Sequence, residues 1–437
     1  MLRWYAAFGR EKRASVLHAA PLNPHPQPVQ VLGADTYKIP VVPVLNPGRL
    51  AVTICVLLLS GLAVTNVYPL TYPTLVISAI LLFIPVIEYI MTHGLKMKVV
   101  TLLLFLMFLP PFFRDIYNYK YSISVMAFMA VALIITKAIP FEQFGNIYIR
   151  VILGIALISL VGYGIVNYTS IQLPFISMDS VKEGVSYRIG FIYNYLPYQK
   201  DRNCGAFWEP GLFATHLVAA YLLTLKCSPP KATVYKAIYL LTILTTKSSA
   251  GYCLMILCLI LEMTLRLCSG ISKKQTIISF VLILVILLVA LFVSSNEEIM
   301  STILLGSGSG GGTAQIFSKL KLENVFRSQR GNAVSFWMTQ FVENPLIGRG
   351  FVGITEQYIW DTCTNFMFLG GCGILGATYT YCWIKGVSMI GNINASSKLI
   401  IFGMVFIILN KEPHAKMLLT WMILFYLIAN NEIVNET

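Results

Sequence analysis

The amino-acid sequence predicts an all-α, polytopic integral membrane protein with about 12 transmembrane helices. Apolar residues make up 57% of the 437 residues, charged residues make up only 12%, and the mean hydropathy is +0.72. A soluble chain of this length needs more charge on its surface. The apolar residues occur in continuous runs such as Leu50–Val67 and Thr276–Val293. Such runs favour helices that cross a bilayer, because the strands of a barrel would alternate in polarity.

The chain carries a formal net charge of +13 and nine cysteines. In a soluble protein this charge would suggest a nucleic-acid partner, but in a membrane protein Lys and Arg flank the spans and set the topology. We therefore expect membrane lipids and no nucleic acid as partners, with part of the charge available for an anionic ligand such as a lipid diphosphate. The cysteines lack metal-ligand spacing, so they predict no metal site, and they are interpreted as small apolar residues of the membrane segments. No cofactor is expected.

Twelve apolar segments are candidate spans, and the last two of them are short. They are Leu50–Val67, Thr71–Met91, Val99–Phe113, Tyr121–Thr136, Val151–Tyr168, Phe207–Leu225, Thr233–Thr246, Ala250–Leu267, Thr276–Val293, Cys363–Ile384, Leu399–Leu409 and Met417–Ala429. The segment Thr233–Thr246 is too short to cross the bilayer unaided.

The distribution of Lys and Arg predicts the orientation. Residues 1–48 are polar and basic and are interpreted as a cytoplasmic tail, followed by a transmembrane domain over residues 49–430 and a second cytoplasmic tail over residues 431–437. With the amino terminus inside, most of the basic residues in short loops lie in the cytoplasm, as the positive-inside rule requires. Two long hydrophilic loops, residues 169–206 and 294–362, then lie on the non-cytoplasmic side.

The end of the first long loop carries charge at the start of a span. Arg202 and Glu209 precede Pro210, which is tolerated in the first helical turn because its missing amide has no helical partner there. A carboxylate at this position is favoured by the helix dipole. One interpretation is an Arg202–Glu209 ion pair that anchors the loop. The other is an outward-facing charged pocket whose carboxylate accepts a proton.

Lys247 lies with four hydroxyl side chains in the segment Thr245–Gly251, between two apolar runs. These groups are costly in hydrocarbon unless they face a cavity or a partner. The segment is interpreted either as a tight turn between short spans or as a recessed site lined by Lys247 and open to the outer side.

The second long loop contains a candidate hinge, a candidate helix and an arginine cluster. The glycine-rich run Gly306–Gly312 lacks the Gly-Lys-Ser/Thr sequence of a phosphate-binding loop and is interpreted as a hinge. A helix is predicted over residues 323–342, with Arg330, Val334, Trp337 and Phe341 on one face that can rest on the membrane surface. Arg327, Arg330 and Arg349 suit phosphate oxygens, and they can equally form surface salt bridges.

Four sequence blocks together resemble the bacterial O-antigen polymerase and O-antigen ligase superfamily. They are Arg-x-x-Gly-x-Phe-x-Glu-Pro-Gly at Arg202–Gly211, the Thr-Lys-Ser-Ser-Ala-Gly turn, Asn-Pro-Leu-x-Gly-x-Gly at Asn344–Gly350, and the glycine-rich block Thr364–Gly376. They occur in the family's order, between Arg202 and Gly376, whereas the amino-terminal third matches only in being hydrophobic.

This resemblance implies a C-type glycosyltransferase-like membrane fold in the bacterial cytoplasmic membrane, with the active site on its outer face. The implied substrates are undecaprenyl-diphosphate-linked oligosaccharides, the implied reaction needs neither a nucleotide nor a metal, and a chain-length regulator protein is a candidate partner. Arg202, Lys247, Arg327, Arg330, Arg349 and Asn365 would bind diphosphate or glycan. Glu209 is the first candidate for the general base and Asp361 the second.

One departure from the family pattern bears on the reaction. The related ligases, which attach polymer to lipid A core, carry a histidine in the second long loop, but none of the five histidines lies between Ser294 and Thr362, and Thr364 stands just beyond it. This difference favours a polymerase of oligosaccharide repeat units over a ligase. A flippase or exporter of the same lipid-linked sugars is a further alternative. Transporters often show internal repeats, and the two halves of this sequence show none that is convincing.

Overall fold

The computed structural model describes residues 47–67, 70–93, 99–114, 116–180, 185–190, 193–227, 229, 231–268, 329–351, 362–391 and 393–429. Its helices are α1 (Pro47–Leu58), α2 (Thr71–His93), α3 (Val99–Leu106), α4 (Leu109–Phe112), α5 (Ile116–Ala138), α6 (Phe141–Tyr168), α7 (Pro210–Cys227), α8 (Ala232–Thr245), α9 (Ser249–Cys268), α10 (Gln329–Glu343), α11 (Thr364–Cys372), α12 (Ala377–Ser388), α13 (Ala395–Leu409) and α14 (Leu418–Ala429).

The helices have the lengths and composition of a membrane protein. Five helical segments are long and apolar enough to cross a bilayer: Asn118–Ala138, Phe141–Tyr168, Pro210–Cys227, Ser249–Cys268 and Thr364–Ser388. Six further apolar helices of the described residues are shorter. The helical, membrane-embedded class predicted from the sequence is therefore supported. Complete spans at all twelve predicted positions are not seen, and the segment Thr276–Val293 lies outside the described residues.

Two of the predicted spans in the amino-terminal part of the chain are interrupted helices. The first ends at Leu58, and the chain turns through Gly61, whose φ is +112°, into a 3-10 helix at Ala63–Asn66. Glycine adopts this backbone conformation without the steric cost that a Cβ imposes. The third is divided into α3 and α4, and Pro110 and Pro111 lie within the short α4. Proline lacks the amide that would continue a helical hydrogen-bond ladder.

The first long loop contains β-structure that the all-α prediction missed. Strands β1 (Ile176–Asp179), β2 (Ser186–Ile189) and β3 (Asn194–Tyr195) form an antiparallel sheet in the order β1-β2-β3. Ile176 pairs with Ile189 at one end of the first two strands. Strands of two to four residues give too short an alternation to stand out in a sequence. The fold is mostly helical with one small sheet.

Helix α7 lies inside the bundle and brings the first long loop to its centre. Its side chains are buried on every side, including Phe213, Leu217 and Tyr221, and it packs against α6, α8 and α9. A helix that is apolar all round is expected in such a position. Elsewhere α14 packs against α5, and α10 packs against α11. The amino-terminal end of α7 is consequently surrounded by other elements.

Candidate functional site

The segment before α7 is held by hydrogen bonds to two helices. The Asn203 side-chain amide donates to the Ser159 hydroxyl on α6 at 3.2 Å and to the Thr245 hydroxyl on α8 at 2.9 Å. The Asn203 amide oxygen accepts from the backbone N–H of Gly205 at 2.8 Å. The bonds to Ser159 and from Gly205 are buried and the bond to Thr245 is partly buried, and each satisfies a polar group that would otherwise be costly there. They fix the path of the chain towards Glu209.

Glu209 lies directly before Pro210, at the start of α7, and its carbonyl accepts the first helical hydrogen bond, from Phe213 at 3.1 Å. Proline suits the next position because its fixed φ is already helical. The Glu209 side chain is half-buried, and its carboxyl group is close enough to Glu412 to raise the pKa of that residue. The structure therefore brings the predicted base near a second carboxyl group that the sequence interpretation did not include.

Glu412 and its neighbour Lys411 lie on the connection between α13 and α14. Both side chains are buried, with exposures of 4% for Glu412 and 6% for Lys411. The Lys411 ammonium donates to the Ser248 hydroxyl at 3.0 Å and lies 3.9 Å from Glu412 Oε1. The second distance is beyond an ordinary hydrogen bond, so the two charges interact without direct bonding.

Arg330, at the beginning of α10, closes the cluster from the second long loop. Its Nε donates to the Lys411 carbonyl at 3.1 Å, and its Nη2 lies 3.8 Å from Glu412 Oε1. The Thr364 hydroxyl, at the start of α11, approaches the Glu412 carbonyl at 3.5 Å and accepts from the His414 amide at 3.2 Å. The connection that carries Lys411 and Glu412 is thus tied to both α10 and α11.

Burial and the neighbouring charged groups shift the pKa values of Glu412 and Lys411. Burial raises the pKa of Glu412, the neighbouring carboxyl of Glu209 raises it further, and Lys411 and Arg330 oppose both effects. Burial lowers the pKa of Lys411, whereas Glu412 opposes that shift. Glu412 Oε1 has no hydrogen-bond partner among the described residues. A buried carboxyl oxygen in this state is free to accept a hydrogen bond from a ligand.

Gly211 explains how the connection approaches α7 so closely. A Cβ at Gly211 would lie 2.4 Å from Lys411 Nζ and 3.0 Å from Glu412 Oε1. Both distances are shorter than ordinary non-bonded contacts, so a side chain here would displace the charged groups. The Pro-Gly sequence that follows Glu209 therefore starts the helix and makes room for the buried pair.

The remaining residues of the first two sequence blocks lie next to the cluster. Arg202 anchors its loop, but by donating to the Thr246 carbonyl at 3.3 Å and to Gln199 at 2.9 Å rather than by a salt bridge with Glu209. Lys247 lies in a tight turn between α8 and α9, with a φ of 47° and an ion pair of 3.1 Å with Asp201. Its neighbour Ser248 is the member of this turn that contacts the buried pair.

The buried face of α10 is formed by other residues than the sequence predicted. The residues that it buries are Ala333, Trp337 and Gln340, against α11, whereas the predicted face included Val334 and Phe341, which are only partly buried. The helix thus packs on protein through this face. Its described part begins at Gln329, so the predicted start near residue 323 lies outside the described residues.

Two predicted site residues have partners away from the cluster. The Arg349 side chain is 58% exposed, donates to Gln340 at 2.8 Å and lies 3.8 Å from Glu343. This geometry matches the surface salt bridge considered from the sequence. Asn365 is buried on α11 and accepts a hydrogen bond from the Thr380 hydroxyl at 3.1 Å. Arg327, Asp361 and the run Gly306–Gly312 lie outside the described residues.

Lys411 and Glu412 are candidate functional residues that sequence reasoning missed. They lie in the sequence Asn-Lys-Glu-Pro-His at Asn410–His414, between two short apolar runs. The same criterion that identified Lys247, ionisable groups interrupting apolar segments, would have found them. Their partners could not be inferred, because Glu209 and Arg330 are distant from them in the sequence.

Comparisons of the chain with protein-family models, with curated proteins and with solved structures gave no match. The function must therefore be inferred from the chemistry of the residues themselves. Within the described residues, the cluster offers a half-buried carboxyl, a buried carboxyl with a free oxygen, an ammonium and a guanidinium. Such a set can bind an anion and accept or hold a proton.

Proposed function

We propose that this protein polymerises undecaprenyl-diphosphate-linked oligosaccharide repeat units into a surface polysaccharide on the outer face of the bacterial cytoplasmic membrane. The observation that carries the proposal is the cluster of Glu209, Lys411, Glu412 and Arg330 at the start of α7, in which Lys411 and Glu412 are buried. Ionisable groups buried within a membrane-embedded bundle are costly, and they usually mark a functional site.

The cluster draws on both long loops, which the distribution of Lys and Arg predicts to lie on one side of the membrane. Glu209 comes from the end of the first loop, and Arg330 comes from the second. A glycosyl transfer needs two substrates at one point, and two loops that meet at one set of charges are suited to that requirement. The four sequence blocks that resemble the O-antigen polymerase and ligase superfamily give the substrate class.

In the proposed reaction, a hydroxyl group of one sugar chain attacks the anomeric carbon of another chain. A carbon–oxygen bond forms there, and the bond from that carbon to the lipid diphosphate breaks, with its electron pair leaving on the diphosphate. Glu209 takes the hydroxyl proton as general base. Arg330 faces the developing charge of the diphosphate, where a guanidinium fork can bind two oxygens. Arg202 acts electrostatically on Lys411 and would contribute further positive charge, whereas Lys247 is paired with Asp201.

The test of the proposed function is a chain-extension assay. The purified full-length protein is incubated with lipid-linked repeat units of known chemistry, and the glycan products are separated on a gel. A ladder of increasing length is expected. Transfer of polymer to lipid A core instead would indicate a ligase, and movement of the substrate across the membrane without lengthening would indicate a flippase or exporter. Either of those results would overturn the polymerase proposal.

The role of Arg330 is tested by binding. Arg330→Gln is expected to weaken binding of undecaprenyl diphosphate by about tenfold or more, since a hydrogen bond to a charged group contributes about 1.5–3 kcal/mol. Arg188→Gln is the matched control, because Arg188 lies on β2 with its side chain exposed. Equal binding by the two variants would remove Arg330 from the diphosphate site.

A further inference from the structure

Glu412 Oε1 is a buried hydrogen-bond acceptor that the described residues leave unused. The Glu412 side chain is 4% exposed, and this oxygen has no hydrogen-bond partner among the described residues. Such an oxygen is costly, because burial removes the water that would otherwise solvate it. The two nearest cations do not meet this need by direct hydrogen bonds, since Lys411 Nζ lies at 3.9 Å and Arg330 Nη2 at 3.8 Å.

The ammonium group of Lys411 has N–H donors that face the same place. Its side chain is 6% exposed, and its one hydrogen bond to a described residue goes to the Ser248 hydroxyl at 3.0 Å. An ammonium group carries three donors. A buried donor and a buried acceptor are therefore held side by side without bonding to each other, and each can bond to a third group.

A single hydroxyl oxygen fits between this donor and this acceptor. Two atoms that are 3.9 Å apart can both lie about 2.8–2.9 Å from a third atom, the length of an ordinary hydrogen bond. A hydroxyl group accepts a hydrogen bond from the ammonium and donates its own proton to the carboxylate. An ionised phosphate oxygen does not suit this position, because it only accepts hydrogen bonds and would repel the carboxylate.

A ligand reaches this position past Arg330. Helix α7 closes one side, where Gly211 is so near that a Cβ on it would lie 2.4 Å from Lys411 Nζ and 3.0 Å from Glu412 Oε1. The Arg330 side chain is 50% exposed and lies 3.8 Å from Glu412 Oε1. The guanidinium group thus connects the protein surface with the buried pair, and a group bound at Glu412 is adjacent to whatever Arg330 binds.

We propose that Lys411 and Glu412 form a sugar subsite, which binds one hydroxyl group of the sugar attached directly to the lipid diphosphate. This inference rests on the proposed function, in which Arg330 binds the diphosphate. With the diphosphate at Arg330, the attached sugar is the part of the substrate closest to Glu412. The two residues then determine specificity, because they select a donor that carries a hydroxyl group at this position. The proton transfer stays with Glu209.

The sugar subsite is tested by equilibrium binding to the full-length protein in detergent micelles. The probes are undecaprenyl diphosphate without sugar, the lipid-linked repeat unit, and analogues of that repeat unit that each lack one hydroxyl group of the diphosphate-linked sugar. The wild-type protein should bind one of these analogues at least about tenfold more weakly than the parent, because the buried carboxylate then loses its partner. Equal binding of the parent and every analogue would overturn the sugar subsite, and would indicate that the gap holds only water.

A variant assigns the discrimination to Glu412. Glu412→Gln should bind the lipid-linked repeat unit about tenfold more weakly than the wild type, since a charge-assisted hydrogen bond becomes a neutral one. It should bind undecaprenyl diphosphate as the wild type does, and it should lose most of the discrimination between the parent and the sensitive analogue. Glu343→Gln, at an exposed carboxylate of α10, should match the wild type with every probe. Equal weakening of all probes by Glu412→Gln would indicate a general structural effect and overturn the sugar subsite.

The chain-extension assay separates a failure of the sugar subsite from a failure of the proposed function. A ladder formed by a protein that binds every analogue like the parent would overturn the sugar subsite and leave the polymerase in place. Discrimination against one analogue by a protein that forms no ladder would support the sugar subsite and overturn the polymerase.

Discussion

Replacing Lys411 by Met should destabilise the protein, and the loss should grow as the pH rises. Lys411 and Glu412 are both buried, and their charged atoms lie 3.9 Å apart. At an effective dielectric constant of about 20, two unit charges at this distance attract by about 4 kcal/mol. Removing one member of a buried pair costs about 3–5 kcal/mol for the same reason, since the other charge is left without compensation.

Protonation of Glu412 limits this cost at acidic pH. A carboxyl group whose pKa is raised in the folded state adds stability below its ordinary value of 4.5, and that contribution is lost as the pH rises through the folded-state pKa. Keeping a proton on this carboxyl costs about 1.4 kcal/mol for each pH unit above the ordinary value. Near pH 5 the Lys411→Met protein should therefore lose only about 1 kcal/mol, chiefly the hydrogen bond to Ser248.

The measurement is equilibrium unfolding in mixed micelles, followed by circular dichroism at about pH 5 and about pH 7.5, which lies between the pKa of Glu412, at about 7, and that of Lys411, at about 8. The free energy of unfolding of Lys411→Met should fall by more at the higher pH than at the lower, and by at most about 4 kcal/mol, the cost of keeping Glu412 protonated about three pH units above its ordinary pKa. The double variant Lys411→Met, Glu412→Gln should remove most of this difference, because no buried charge remains. Lys416→Met is the control, since Lys416 is exposed over the Tyr121 ring. A loss of equal size at both pH values would refute the reasoning.

Two further predictions concern the supports of the site. Trp337→Ala removes a fully buried side chain between α10 and α11 and should lower the free energy of unfolding by about 3–5 kcal/mol in the same unfolding assay; a loss below about 1 kcal/mol would contradict the packing described. Gly348→Ala should also destabilise, because a Cβ there would lie 2.4 Å from the Gly371 backbone and the φ of +68° adds about 1–2 kcal/mol of strain. Gly154→Ala, at a helical position with open space, should be neutral or stabilising by up to about 1 kcal/mol, and equal effects of the two alanines would contradict this account.

The sequence predicted those parts of the structure that depend on local composition. Helix α7 begins at Pro210 and follows Glu209 as the motif indicated, and the turn at Lys247 separates the short helix α8 from the longer helix α9. Apolar runs locate membrane helices because each residue contributes to the free energy of transferring its own segment from water into the membrane. Breaks inside a run are harder to see, since Gly61 ends a helix through a backbone angle that hydropathy does not report.

The candidate site was only half predictable, because its partners come from segments that are distant in the sequence. Glu209 and Arg330 stood out as charges in long loops. Glu412 was overlooked because it follows a short apolar run, although its burial beside Glu209 makes it the most perturbed carboxyl group of the site. A single sequence reports which residues are unusual in their own segment. Which segments meet is decided by tertiary packing.

The measurement that tests the central claim most directly is the release of undecaprenyl diphosphate together with chain lengthening in proteoliposomes. The wild-type protein should release one lipid diphosphate for each repeat unit added. Glu209→Gln should lower the rate at least about a hundredfold, which is the lower end of the rate enhancement that a general base provides. The matched variant Glu343→Gln, at an exposed carboxylate, should retain the wild-type rate. Full activity of Glu209→Gln would contradict the assignment of this cluster as the reaction centre.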